Sequence, residues 1–470
     1  MPRRNLIILF VAALVSLACY QRAARNRFAG TFSRAMNIVT RDYVDEVEPR
    51  VLFEGAMDGM MNQLDMYSGY TPPDEFRQFM QQIDGQFPGI GIMVEQNRET
   101  KQLEVLVPIP GSPAAQAGMK AGDVIEAIEG QATAELLLER ALDLIKGPAG
   151  SSVRLTIRRA GLSRPLELEV PRANIAIESV LGDARRDDGT WIFTLLDDPR
   201  IGYIRLDSFG ERTFDDLRGA FATYRQPAQE IDGLILDLRG NAGGLLDAAV
   251  KTCDMLLDEG LIVSTRGRGG VERASFSANP GSELDSKLPL VVLVDRYSAS
   301  AAEIVAACLQ DHDRAVVIGE RTWGKGTVQN IEELEGGKSA IRLTIATYWR
   351  PSGKDIHKRR TAAEADDWGV RPDPGFETSL TKDEYQRVVL GRRKREITPW
   401  SELLSRPTRS PAASPVEPQA GVDTAAPPVP IPDVGEDAAV VEPWFDPALD
   451  RAIEYLHEQF ALPPAQPRAA

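Results

Sequence analysis

From residue 28 to about 86 apolar residues fall at helical spacing, first Phe32, Ala35, Met36 and Val39, then every three or four positions from Val51 to Leu64. This period predicts a helical region over 28–86. At Phe87-Pro88-Gly89-Ile90-Gly91-Ile92 the pattern changes, and strand-like runs at 103–107, 153–157 and 166–170 alternate with two short helices. One of those helices opens at Ser112-Pro113, where serine suits the N-cap and proline the first helical position. The block 87–172 reads as a small β-rich domain. Beyond it come strands at 201–206 and 233–238, a helix at 245–257, a strand at 288–294, a helix at 299–309, and strands at 315–318 and 339–347. Strand, helix, strand in succession predicts an α/β core with parallel crossovers over 173–404. Proline, alanine and acids then dominate, too little apolar area to order the chain, so 405–442 reads as a linker. The last segment, 443–470, holds an amphipathic helix with Leu449, Ile453, Leu456 and Phe460 on one face.

Residues 1–20 follow a different logic. Arg3 and Arg4 precede an apolar run from Leu6 to Ala18, the layout of an export signal. The run is short for a full span of about 20 residues, yet no clean small-x-small cleavage site follows, and 16–19 make only a poor lipoprotein signal. A cleaved signal, an uncleaved anchor and a buried N-terminal helix are the alternatives. The two arginines favour a cytoplasmic N-terminus, so the bulk of the chain is expected on the periplasmic side, tethered to the inner membrane by this segment.

Charge and composition narrow the chemistry. With 54 Lys plus Arg against 69 Asp plus Glu the formal net charge is −15, which disfavours a general nucleic-acid surface. Cys19, Cys253 and Cys308 are far apart, and His312, His357 and His457 form no HExxH. No disulfide framework, metal or cofactor is therefore expected.

Four places could carry chemistry. In Asp295-Arg296-Tyr297-Ser298-Ala299-Ser300-Ala301-Ala302-Glu303 an apolar strand empties into a small-residue turn before a helix. A hydroxyl there sits at the positive end of the helix dipole beside unpaired N–H groups, although Ser300-x-x-Glu303 also reads as a plain capping box. In Gly324-Lys325-Gly326 flanking glycines let the backbone turn closely around a lysine, and a lysine withdrawn from water can lose its proton and act as a base; a surface turn is the bland alternative. Leu238-Arg239-Gly240-Asn241-Ala242-Gly243-Gly244 is a glycine-rich turn whose amides could cradle a phosphate or an oxyanion, or simply make a tight turn. Finally, Gly89-Ile90-Gly91-Ile92 precedes a strand and could hold a peptide carboxylate on successive amides.

Taken together these motifs resemble the C-terminal processing peptidases, or tail-specific proteases, over residues 38–385. Asp42-Tyr43-Val44-Asp45, Gly55-Ala56-Met57-Asp58-Gly59-Met60 and Leu64-Asp65-Met66-Tyr67-Ser68 look like the family's helical opening. The block 87–172, with Gly118-Met119-Lys120-Ala121-Gly122-Asp123-Val124-Ile125, looks like its inserted PDZ domain, while 236–246, 298–304 and 324–329 follow in the family's order. Tyr348-Trp349-Arg350-Pro351-Ser352-Gly353 and Val370-Arg371-Pro372-Asp373 resemble its closing strands.

The resemblance implies a serine endopeptidase in which Ser300 is the nucleophile, Lys325 the general base, 25 residues on (325 − 300), and Gln329 the residue that positions the lysine. It also implies an oxyanion hole from the amide of Ala301 and one of Gly243 or Gly244. Two positions depart from the family pattern, Ala242 standing for a proline and Ala302 for a second serine. Expected partners are protein or peptide substrates with apolar C-termini held by the PDZ domain, an adaptor protein, further copies of the chain and the membrane. Three rivals stay open: a Ser–His pair using His357, a catalytically inactive PDZ scaffold that binds tails without cutting, and a phosphate-ligand α/β enzyme.

Overall fold

The computed structural model describes residues 5, 10–16, 27–83, 86–97, 100–176, 178–186, 188–226, 229–398 and 445–461. The expected linker at 405–442 and most of the expected export segment lie outside the described residues. Among the described residues no helix is long and apolar enough to cross a membrane. The chain forms two compact units, one built from residues up to Phe76 with Gln329–Thr344, the other from Arg77–Val328 with the chain from Ile345 onward.

In the first unit, helices α1 (Arg27–Asp42) and α2 (Pro49–Met61) precede a strand, β1 (Gly69–Thr71). That short strand interrupts the helical region expected over 28–86, which a further helix, Pro73–Ile83, resumes. The carboxylate of Asp65 accepts the N–H groups of Tyr67 and Ser68, each at 2.8 Å, so the chain turns out of helical geometry just before Tyr70 and Thr71. β1 then pairs antiparallel with residues 340–342. Arg50 fastens α2 to this sheet by donating to Glu54, to Glu335 and to the Tyr70 hydroxyl.

The second unit contains two hydrophobic cores. The smaller belongs to an antiparallel sheet of β2 (Ile92–Gln96), β3 (Leu103–Pro108), β4 (Val124–Ile128), β5 (Ser152–Arg158) and β6 (Leu166–Pro171), in that spatial order. Along β5, Val153, Leu155 and Ile157 point inward while their neighbours face out, the two-residue period of a half-buried strand. Helices α3 (Pro113–Gln116) and α4 (Leu138–Ile145) close it; Ser112 caps α3, its hydroxyl accepting the Ala115 N–H at 3.3 Å. Strands at Gln86–Gly89 and Ala173–Ala176 pair where the chain enters and leaves this domain.

The larger core surrounds the sheet β7 (Val180–Leu181), β8 (Ile201–Leu206), β9 (Gly233–Asp237), β10 (Leu290–Val294) and β11 (Val316–Gly319), parallel except for β7. Its strands are apolar without alternation because both faces are covered. Leu234, Leu236, Val292 and Val294 pack beneath helices α5 (Thr213–Tyr224), α6 (Leu246–Asp254) and α7 (Ala301–Asp311). Ile235, Val291, Leu293 and Ile318 face the other way, against Ala448, Leu449, Ala452 and Leu456 of the C-terminal helix, which becomes α9 once α8 (Lys382–Ile397) is counted. Nothing in the apolar pattern announces α8. Its polar side chains form ion pairs with the core instead, Arg395 with Asp183 and Glu396 with Arg205. Val370-Arg371-Pro372-Asp373, expected as a closing strand, forms none. Pro372 has no N–H to give, and this stretch is held by separate bonds from Val370 N to Thr322 Oγ1 (2.8 Å) and from Asp373 N to the Val317 carbonyl (2.9 Å).

Leu456 is fully buried on α9. Leu456→Ala is expected to cost about 2–5 kcal/mol of stability, read by thermal or urea unfolding; a change under about 0.5 kcal/mol, the surface value, would mean that α9 does not dock in solution.

Candidate active site

The site is assembled where β9 and β10 end, the edge at which open parallel sheets place their ligands. Asp295 follows β10 directly. Its Oδ1 accepts the N–H groups of Tyr297 and Ser298, both at 3.0 Å, and that of Gly240 at 2.9 Å, so one buried carboxylate joins the turn before α7 to the turn after β9. Burial pushes this carboxyl up from its ordinary value. The Ser298 hydroxyl adds a second tie, donating to the Leu238 carbonyl at 2.9 Å, and the Ala299 N–H a third, to the Asn241 carbonyl at 2.9 Å.

Ser300 occupies the N-cap of α7 with φ at +56°, in the left-handed region that non-glycine residues avoid. Holding it there costs about 1–3 kcal/mol, a strain that persists only where the surroundings over-determine the backbone. The restraint is Glu303. This side chain, fully buried on the first turn of α7, accepts four hydrogen bonds. Its Oε2 takes the Ser300 and Lys325 N–H groups, each at 2.8 Å, and its Oε1 takes the Gly324 N–H at 2.7 Å and the Thr322 hydroxyl at 2.5 Å. Ser300 and Lys325 therefore share one acceptor atom, which keeps their backbone nitrogens within twice 2.8 Å of each other. Burial pushes the Glu303 carboxyl up to about 7 against the pull of these donors. The motif Ser-x-x-Glu was visible in the sequence as a cap; its bridge to the lysine loop was not, because the Thr322, Gly324 and Lys325 donors lie beyond the helix and an intervening strand.

Lys325 itself is half-buried. Gly326 explains the flanking glycine: a Cβ there would lie 2.2 Å from the backbone nitrogen of His357. The same loop crossing is closed by bonds from Lys358 N to the Gly324 carbonyl and from Tyr348 N to the Gly326 carbonyl, both 2.8 Å. His357 thus lies against the lysine loop through its backbone, and its N–H donates to Asp355 at 2.9 Å. Gln329 belongs to the first unit, on the strand Thr327–Leu334, where its amide pairs with the Thr344 hydroxyl at 3.0 Å.

Gly243 and Gly244 are required by close approach. With φ at +104°, Gly243 would place a Cβ 2.7 Å from the Ser300 Cβ and 3.1 Å from the Ala301 nitrogen; Gly244, φ at +144°, would place one 2.2 Å from the Phe209 carbonyl oxygen. The turn therefore runs directly against the serine and the first amide of α7. Within it the Gly243 N–H donates to Asn241 Oδ1 at 2.8 Å.

In the smaller domain Gly89 ends a strand, Ile90 is buried, and Gly91, φ +78°, makes the turn into β2, which starts at Ile92. A Cβ on Gly91 would lie 2.3 Å from that of Ser112, whose hydroxyl donates to the Gly91 carbonyl at 2.9 Å. β2 pairs with β3 alone among the described strands and so offers an open edge. Among the described residues no group of three or more His, Cys, Asp or Glu could hold a metal ion.

This fold and site define a peptidase of the serine class carrying a PDZ domain. A model of peptidase family S41 matches residues 200–374, and a PDZ-domain model matches 104–159. The chain is 40% identical to the carboxy-terminal-processing protease of Bartonella bacilliformis over 332 residues, 70% of this chain and 72% of that one. It is 37% identical to the carboxyl-terminal-processing protease of Synechocystis over 330 residues, 69% and 71% of the two chains. A carboxy-terminal processing protease of Bacillus subtilis is 33% identical over 348 residues, 72% and 70%. The chain belongs to the carboxy-terminal-processing protease family.

Two outcomes follow from the site. Because Glu303 holds its proton up to about 7 in the fold, above its ordinary 4.5, its stabilising share is complete below about pH 4.5 and is lost as pH rises through about 7, a loss on the order of 3 kcal/mol. Unfolding free energies measured from pH 4 to 8 should fall across that window in the wild type more than in Glu303→Gln; parallel curves would refute the burial of this carboxyl. A methyl on Gly243, at φ +104°, would meet the Ser300 Cβ at 2.7 Å and the Ala299 carbonyl oxygen at 2.9 Å, so Gly243→Ala should lower the unfolding free energy by about 1–3 kcal/mol, read by urea unfolding.

Proposed function

We propose that the protein is an exported endopeptidase that recognises the C-termini of its substrates through the PDZ domain and cleaves with a Ser300–Lys325 pair. The observation that supports this reading best is the carboxylate shared by the Ser300 and Lys325 amides, which brings the two backbones together in the absence of any chain continuity. In this scheme the Ser300 Oγ attacks the scissile carbonyl while the Lys325 Nζ takes its proton. The amine passes that proton to the leaving nitrogen as the peptide bond breaks, leaving an ester on Ser300. Water then attacks the ester, gives a proton to the same amine, and the serine oxygen leaves and recovers it. The Gly243 amide is already engaged by Asn241, so the amides of Gly244 and Ala301 are assigned the developing oxyanion. Gln329 is assigned the orientation of the lysine.

The PDZ role draws support from the Gly89–Ile92 turn and the open edge of β2, to which an extended peptide can add as a further strand. Export and attachment rest on the charged and apolar residues 1–20. The exposed Phe28, Phe32, Ile38 and Val39 on α1 favour self-association of the chain, measurable by sedimentation equilibrium of the wild type beside a variant with these four residues made polar.

Ser300→Ala and Lys325→Met are expected to abolish cleavage of an unfolded protein substrate while circular dichroism stays that of the wild type. Equal survival of the substrate with wild type and Ser300→Ala would return the molecule to a binding-only reading. A lysine base further requires the rate, in the wild type and in Glu303→Gln alike, to keep rising with pH beyond neutrality; a rate that in both turns on near pH 6.5 and then levels would assign the base to an imidazole such as His357.

A further inference from the structure

Arg239 stands just after β9, at the start of the turn that carries Gly243 and Gly244. The residue is 4% exposed, and its guanidinium is gripped from two sides. Nε and Nη2 donate to Asp237 at 2.9 and 2.7 Å; Nη1 and Nη2 donate to Asp446 at 2.6 and 2.9 Å. Asp237 is a neighbour in the chain. Asp446 arrives from 207 residues away, as the N-cap of α9, where its Oδ1 also accepts the Leu449 N–H at 3.1 Å. Both carboxylates are fully buried, Arg392 approaches Asp237 at 3.2 Å, and the Tyr203 hydroxyl donates to Asp237 at 2.7 Å. Burial alone would raise the Asp237 carboxyl; the Arg239 and Arg392 guanidiniums outweigh it and hold it below the usual carboxylate range.

We propose that Asp446 is a positioning residue for the peptidase site: it clamps Arg239 and thereby fixes the turn of residues 238–244 against Ser300. The proposal rests on the reading of Ser300 as nucleophile. The mechanical path is short. Leu238 to Asn241 forms a turn closed by Asn241 N to the Leu238 carbonyl at 3.2 Å, with Gly240 at φ +74°. The Leu238 carbonyl is what the Ser298 hydroxyl donates to, and the Asn241 carbonyl is what the Ala299 N–H donates to. A displaced Arg239 therefore moves the two acceptors that hold the residues immediately before the serine. Loss of the Asp446 charge leaves the buried Arg239 guanidinium with one of its two carboxylate partners, an imbalance relieved by turning it toward water. The carboxylate is also well placed at the N-terminus of α9, where it satisfies an otherwise unpaired amide. Docked on the second face of the sheet, α9 thus brings the carboxylate that holds this turn, and a segment beyond the family-matched residues 200–374 bears on the site.

The test compares Asp446→Asn with Leu456→Ala in the full chain. For each, kcat and KM on a peptide, the melting temperature, and hydrogen exchange of the peptide covering 238–245 are measured. Asp446→Asn is expected to lower kcat about tenfold or more with KM within about twofold, and to speed exchange at 238–245. Leu456→Ala is expected to lose as much melting temperature yet keep kcat well below its transition. Wild-type kcat and exchange in Asp446→Asn, or an equal loss of kcat in Leu456→Ala, overturns the proposal. Should Asp446→Asn fail to fold, Asp446→Glu decides, since it keeps the charge and moves the carboxylate by one methylene: reduced kcat at unchanged KM supports the clamp and wild-type kcat refutes it. If wild type and Ser300→Ala are both inert, the peptidase reading falls, and exchange at 238–245 still judges the clamp.

Discussion

The buried carboxylate of Glu303 is the contact on which the site depends. An ionisable group with no access to water is costly, and burial accordingly drives its proton affinity up toward neutrality. What makes the burial tolerable is that three amides and one hydroxyl point at it, and those donors come from two places in the chain, the N-cap of α7 and the loop from Thr322 to Lys325. Neither segment can move alone without leaving a donor or an acceptor unpaired inside the protein, a penalty of roughly 1–3 kcal/mol for each. That is comparable to the backbone strain at Ser300, so the network is of the right size to hold a serine at positive φ.

A second layer of buried charge lies under the first. Asp295 binds the Gly240 amide on one side and the turn before Ser300 on the other, while Asp237, Arg239, Arg392 and Asp446 balance one another a few residues away. Both layers sit at the ends of β9 and β10, strands apolar on both faces. The sheet supplies rigidity, and the polar residues at its edge convert that rigidity into positions for amides and hydroxyls. Covering the second face of the sheet falls to α9, which explains why a helix so late in the chain carries four core residues.

How much of this was legible in the sequence depended on how local the cause was. Ser112 and Pro113 announce α3 because capping is decided within four residues. The unbroken apolar runs of β9 and β10, with helical periods between them, disclose an α/β core, and the face of Leu449, Ile453, Leu456 and Phe460 discloses a helix that must dock. Gly243 and Gly326 were readable as turn glycines, but the reason for them, a serine Cβ at 2.7 Å in one case and the His357 backbone at 2.2 Å in the other, belongs to tertiary structure. α8 shows no sustained apolar stripe along the sequence: Tyr385 and Val388 are buried, and the ion pairs of Arg395 and Glu396 add to their hold. β1 was hidden by the helical spacing around it, its cause being the Asp65 turn.

The pairing of Arg239 with Asp446 is the extreme of this scale. Each residue by itself is unremarkable in composition, one arginine among 54 basic residues and one aspartate among 69 acidic ones, so no local rule connects them. Their meeting is enforced instead by the sheet: once the apolar face of α9 is committed to Ile235, Val291 and Leu293, its N-terminus is carried to the end of β9, where Arg239 emerges. Two residues 207 apart in the chain are thereby fixed by the same packing that makes the core, and the polar contact inherits its accuracy from the apolar one. Burial chooses the place and charge balance then selects which side chains can occupy it, because in that setting an unmatched guanidinium costs more than the hydrophobic contacts around it can return.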